Sequence, residues 1–185
     1  MKDSKIDTER ALTPEDSAVS SNETQVKLIQ RGHLDIHTHQ IAAKHLKQGA
    51  DALNVRNYAK AIEEFQQVIQ HNRESAEAHF HLGLAYFMQG DYEKAIDAYK
   101  MAVACEPTEA TAHINLAATY RLLKRYDEAV EVYTRAIHFI PEHPELYSEL
   151  GAVYTFQGKR REAVSAYKTA MKLKLKLQLN FDGNA

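Results

Sequence analysis

The chain of 185 residues is poor in the residues that staple, bend or anchor a protein. Its single cysteine, Cys105, excludes an internal disulfide framework and fits a reducing compartment. Set beside apolar positions, Cys105 reads as a small buried side chain and not as a nucleophile. Seven glycines and four prolines are too few for a turn-rich all-β fold and favour helices. No run of about 18 apolar residues occurs, so a membrane span is not expected. The opening stretch MKDSKIDTERALTPEDSAVSS lacks the apolar region of a signal sequence, and the cytoplasm is the default location. A formal net charge of −2 supplies no global field for nucleic acid or lipid.

What is present is a soluble composition, 44% hydrophobic and 26% charged, in a length that suits one domain with a sizeable core. It is also periodic. Residues 76–109 and 110–143 align without a gap at a spacing of 34, the pattern continues from Pro144, and one period back lies a weaker copy, 42–75. Small residues recur at Gly49, Gly83, Ala117 and Gly151, and again at Ala61, Ala95, Ala129 and Ala163. Large rings recur at Phe65, Tyr99, Tyr133 and Tyr167, placed to fill the gap that the small residues open. Pro107 and Pro141 end the second helix of their repeats. Each copy therefore reads as two antiparallel helices with apolar residues at i, i+3, i+4 and i+7.

These columns at this period resemble the tetratricopeptide repeat (TPR) family across about 42–175. The resemblance implies an all-α, right-handed TPR solenoid of antiparallel helix pairs. It has three good repeats, one degenerate N-terminal repeat and a C-terminal capping helix. The expected organisation is a disordered tail (1–24), a helical segment (25–41), TPR 1 (42–75), TPR 2 (76–109) and TPR 3 (110–143). TPR 4 (144–177) runs into the C-terminal helix, and 178–185 forms a flexible tail. TPR 1 departs from the family pattern at Gln48, Ala52 and Arg73, and TPR 4 at Leu175, where a closing proline is missing.

One short stretch competes with this reading. The D-x-H-x-H of Asp35, His37 and His39 resembles the metal-binding motif of the amidohydrolases. That motif works at the end of a barrel strand, in a fold of roughly 250 residues with ligands from several strands. Here helical repeats follow almost directly, and a catalytic metal site is not expected. His45, His79 and His113 occupy one repeat column, taken by Tyr147 in the last copy, and read as packing residues too far apart to share an ion.

In this family, partners bind on the concave face lined by the first helix of each repeat. The resulting candidate groove comprises Leu46, Leu53, Phe80, His81, Leu84, Phe87, Ile114, Asn115, Leu122, Glu145 and Glu149. Chaperone-adaptor members clamp a C-terminal carboxylate with lysine, asparagine and arginine. The equivalent positions here are Leu46, Ala50, His81, Thr111 and Asn115, or one repeat later Phe80, Leu84, Asn115, Glu145 and Glu149. Neither frame supplies the cations. Asn115 alone represents the asparagine ladder of the O-linked N-acetylglucosamine transferase superhelix. An apolar row with acids at one end suits an amphipathic or apolar segment of a partner protein.

The expected function is thus a non-enzymatic adaptor, chaperone or assembly factor without cofactor, catalytic residue or metal. Its partner is a protein or peptide segment. The alternative is a membrane- or nucleic-acid-associated scaffold acting through the basic C-terminal segment, where Lys159, Arg160, Arg161, Lys168, Lys172, Lys174 and Lys176 face one acid, Glu162. The alternation of lysine and leucine over 172–177 has period 2 and scatters leucine around a helix, which favours a plain capping helix. Self-assembly into homo-oligomers is a third reading.

Overall fold

The computed structural model describes residues 39–182, with side chains through residue 179. The tail expected over 1–24, residues 25–38 of the leading helical segment, and Asp35 and His37 lie outside the described residues. Residues 39–41 are helical and belong to a unit covering Met1–Ile41; the second unit, Ala42–Ala185, contains the repeats.

In that second unit the first helix, α1, covers residues 42–54. It is followed by α2 (Tyr58–His71), α3 (Ala76–Gln89), α4 (Tyr92–Cys105), α5 (Ala110–Leu122), α6 (Tyr126–Phe139), α7 (Pro144–Phe156) and α8 (Arg160–Asp182). No strand occurs among the described residues. From α2 onward each helix packs on the next, and α5 also touches α7, so the pairs form a stacked solenoid. The pairs α1–α2, α3–α4, α5–α6 and α7–α8 match the four sequence periods. The last helix carries on through Asp182, past the boundary expected at 177, because nothing like Pro107 or Pro141 stops it.

The turn inside each pair repeats in detail. Asn57, Asp91, Arg125 and Lys159 donate their backbone N–H to the carbonyls of Ala52, Tyr86, Tyr120 and Tyr154, at 2.8, 2.9, 2.9 and 2.9 Å. Each bond reaches back five residues, the closing bond of a helix that ends in a left-handed residue. That residue is Arg56 (φ 58°), Gly90 (φ 91°), Lys124 (φ 59°) and Gly158 (φ 73°), one per repeat. Between pairs, Ser75 accepts from the N–H of Ala78 at 3.2 Å, Glu109 from that of Thr111 at 2.9 Å, and Pro144 opens α7.

The expected interlock of small and large residues is present. A Cβ added to Gly49 or Gly83 would stand 2.6 Å from the ring of Phe65 or Tyr99, and one on Gly151 would stand 2.9 Å from Tyr167. Helix pairs therefore approach until a ring touches backbone. Two buried clusters result. One gathers Phe65, Ala61, Leu82 and Ala98 at the N-terminal end; the other runs from Ile96 and Tyr99 through Leu116 and Tyr133 to Leu146 and Val153.

The histidine column does pack, and it also bonds. His79 Nε2 lies 2.9 Å from the carbonyl oxygen of Arg73, His113 Nε2 3.0 Å from that of Pro107, and the Tyr147 hydroxyl donates to that of Pro141 at 3.1 Å. Arg73, Pro107 and Pro141 are themselves one repeat column. His45 instead meets Glu64 at 2.7 Å.

Candidate interaction groove

The first helices α1, α3, α5 and α7 carry all eleven candidate groove residues. Nine are half-buried, Leu122 and Glu145 are exposed, and none is fully buried. Their surroundings differ. Leu46 and Leu53 pack against the N-terminal cluster, and Phe80, Phe87 and Ile114 against the larger one. Leu84 belongs to neither cluster.

The row is divided into recesses. Between α1 and α3, Leu53, His81, Leu84 and Met88 line a hollow of about 620 Å³, with Arg56 and Tyr58 at its turn end. Phe87, Leu122, Arg121 and Phe156 line a second, of about 360 Å³. Phe80 opens onto a third, about 310 Å³, with Glu77, Glu106 and Glu109 among its walls. Leu46, Ile114, Asn115, Glu145 and Glu149 line none of the three.

His81 sets the character of the first recess. Its ring stacks on Phe65, with centroids 5.4 Å apart and planes 17° from parallel, and meets Phe80 edge-on at 5.3 Å. Burial holds the imidazole below its ordinary pKa, with Glu77 pulling the other way. Near neutral pH the ring is uncharged, so it extends the apolar floor made by Leu53 and Leu84.

The acids at the far end are partly answered within the chain. Glu149 Oε2 lies 3.9 Å from Arg121 Nη2, and the Arg121 guanidinium sits 5.8 Å from the centroid of Phe156, which stacks flat on Tyr126 at 5.8 Å. Glu145 is exposed. Arg56, Tyr58, Lys124 and Tyr126 join the groove from the turns and second helices, where a reading confined to first-helix positions does not look. Their signal is positional: each stands in the short segment that closes a helix pair.

A further hollow, about 520 Å³, lies on the second helices. Val103 and Ala104 of α4 and Val132 of α6 form its apolar part, and its cations and acids include Lys100, Glu128, Glu131 and Arg135. Glu131 and Arg135 pair with each other at 3.0 Å.

Among the described residues, no group of three or more His, Cys, Asp or Glu is placed to hold a metal ion. No described helix is long and apolar enough to cross a membrane. The Cys105 thiol is pushed up by burial and by Glu74, the opposite of an activated nucleophile.

Residues 5–179 match the model of the cilia and flagella-associated protein 70 C-terminal domain family. No curated protein matches the chain. Among solved structures, a crystal structure of MamA is 26% identical with a TM-score of 0.68, covering 91% of this chain and 98% of its own. MamA 41-end from Desulfovibrio magneticus RS-1 is 18% identical, with a TM-score of 0.63 over 90% of this chain and 98% of that one. The first TPR of Spaghetti (RPAP3), bound to the HSP90 peptide SRMEEVD, is 20% identical, with a TM-score of 0.58 over 64% of this chain and 97% of its own.

Proposed function

From the premise that the chain belongs to the cilia and flagella-associated protein 70 C-terminal domain family, a TPR family, we propose that it is a non-catalytic protein-interaction module. Its concave groove binds an apolar or amphipathic segment of a partner protein, in the manner of an adaptor or assembly factor in the cytoplasm.

The carrying observation is the hollow of about 620 Å³ floored by Leu53, neutral His81 and Leu84. Accessible apolar surface of this kind suits side chains from a helix or an extended segment. The RPAP3 structure supports the general mode, since a TPR of the same fold is bound to a peptide. Chemistry argues against the same ligand. The sequence SRMEEVD ends in acids, while this groove offers leucine, alanine and neutral histidine at the corresponding clamp positions. An uncharged or amphipathic segment fits better. Glu145, exposed on α7 outside the three recesses, is accessible to a cation on that segment.

The test is a pull-down from native lysate with the wild-type chain and a Leu84→Glu, Leu122→Glu variant, identified by mass spectrometry. Leu84 lies outside both buried clusters and Leu122 is 51% exposed, so the variant is expected to keep its helical circular dichroism. A partner held by wild type and lost by the folded variant supports the groove. Retention of every partner would sink it.

A further inference from the structure

The final helix carries a second apolar surface, separate from the groove. Val164, Tyr167, Met171, Leu175 and Leu179 follow one another at steps of three or four residues, which places them in one stripe along α8. All five are exposed: 51%, 43%, 68%, 56% and 63%. The neighbouring, alanine-lined side of α8, with Ala163, Ala166 and Ala170, is buried.

The repeat itself says what such a stripe is for. One period back, the matching residues of α6 are Val130, Tyr133 and Ile137; Tyr133 is 0% exposed, and the other two pack against the main cluster. Two periods back, on α4, they are Ile96, Tyr99 and Val103, with Ile96 and Tyr99 each 1% exposed. The internal copies are covered because α5 stacks on α4 and α7 on α6. The stripe on α8 continues that stacking surface, and among the described residues no helix lies on it.

Charge narrows the occupant. Arg160 precedes the stripe by one turn, and Lys168, Lys172 and Lys174 accompany it. Among α8's described cations only Lys176 is in an ion pair, with Glu142 at 2.6 Å. A second copy of the chain suits the surface poorly. Two α8 helices would bring their lysine rows together. At the other end of the stack, α1 presents Lys44 and Gln48 where the stacking helices α3, α5 and α7 bring Ala78 and Leu82, Ala112 and Leu116, Leu146 and Leu150.

The geometry points to a second docking surface on α8, whose occupant is a partner protein's amphipathic helix with acidic flanks, lying where the first helix of a further repeat would lie. Its apolar residues recur at i, i+4 and i+7 against Val164, Tyr167 and Met171, and its carboxylates meet Arg160, Lys168 and Lys174. The helix α7, with Glu145 and Glu149 beside buried Leu146 and Leu150, is this chain's own example of that pattern.

The experiment is fluorescence anisotropy on the full 185-residue chain with two labelled helical peptides. Both carry leucine at i, i+4, i+7 and i+11, one flanked by glutamate and its twin by lysine. The expected result is binding of the glutamate peptide at least about tenfold tighter than its twin, weakened about tenfold or more by Met171→Glu and unaffected by Leu84→Glu. Lys174→Glu is expected to narrow the preference between the twins, with thermal unfolding unchanged in both α8 variants.

Absence of binding, equal binding of the twins, or a loss caused by Leu84→Glu instead of Met171→Glu would overturn the proposal. So would two results obtained without the peptides. One is a concentration-dependent mass in light scattering that Met171→Glu abolishes, which would assign the stripe to a second copy. The other is Met171-dependent binding to phosphatidylserine vesicles at least as tight as to the glutamate peptide, which would assign it to a membrane surface.

Discussion

The imidazole of His113, fully buried, donates from Nε2 to the carbonyl oxygen of Pro107, six residues upstream at the end of the preceding repeat. Its other nitrogen, Nδ1, is buried with no hydrogen-bond partner. Burial keeps the pKa of the ring below its ordinary value, against the pull of the Pro107 carbonyl. The ring is thus a neutral bolt between consecutive repeats.

Acid should loosen that bolt. In the unfolded chain a histidine takes up its proton near pH 6.5, while folded His113, and His81 with it, resist protonation to lower pH. Between those values the unfolded state binds more protons. The contribution to stability is therefore full above about pH 6.5 and declines as pH falls below it. Urea titrations at neutral and mildly acidic pH are expected to show the midpoint dropping. His113→Tyr, copying the Tyr147–Pro141 arrangement, should flatten part of that drop. His113→Ala should lose about 2–3 kcal/mol at neutral pH, from the cavity and the unpaired carbonyl.

Two glycines in one column should respond differently to alanine. At Gly83 the new Cβ would press on Tyr99, a ring 1% exposed and held on every side. Overpacking of about 1–3 kcal/mol outweighs the helix propensity gained, about 0.5–1 kcal/mol, so net destabilisation is expected. At Gly151 the clash is with Tyr167, which is 43% exposed and has room to swing away. There the propensity term should win or break even. Denaturant midpoints of the two variants decide the matter.

Lys124 and Arg56 hold left-handed backbone in the column where Gly90 and Gly158 also stand. A side chain in that conformation costs roughly 1 kcal/mol or more, partly offset by the lower entropy of a non-glycine residue in the unfolded chain. Lys124→Gly is expected to stabilise by about 0.5 kcal/mol, and Arg56→Gly by a similar amount. The two sit in different turns, so their effects should add in thermal or urea unfolding of the double variant.

Salt separates the two proposed surfaces. Binding in the groove rests on Leu53, His81 and Leu84, and its affinity is expected to change little between low and high ionic strength. Binding on α8 engages Arg160, Lys168 and Lys174 in exposed positions and should weaken severalfold over the same range. Titrations of a groove partner and of the glutamate peptide in parallel salt series would check this, and a steep salt dependence for the groove partner would contradict the apolar assignment.

The fold was legible because its determinants are periodic and local. The pairing of Gly49 with Phe65 and of Gly83 with Tyr99 is written in two columns 16 residues apart, and both contacts are present. The second role of the histidine column was not legible, since its acceptors are backbone carbonyls positioned by the preceding helix. The strained turns were hidden because Arg56 and Lys124 are not glycine; only their alignment with Gly90 and Gly158 gives them away. The α8 stripe is obscured for a different reason: the period-2 pattern of 172–177 occupies a window too short to contain Val164, Tyr167 and Met171. In the groove, periodicity picked out residues that are accessible, as Leu84 and Leu122 are. It could not separate them from Phe80 or Ile114, which also pack against the core, because both kinds lie on the same helix face.

Almost all packing in the described solenoid joins helices adjacent along the chain, with α5–α7 the added contact. Such a topology has low contact order, so little loop entropy stands before the first favourable contacts, and condensation should be fast. Each hairpin holds its own ring-on-glycine or ring-on-alanine lock and its own closing turn bond. During synthesis, a hairpin has what it needs to close once its second helix has left the ribosome, and each closed hairpin offers the next one a surface to grow on.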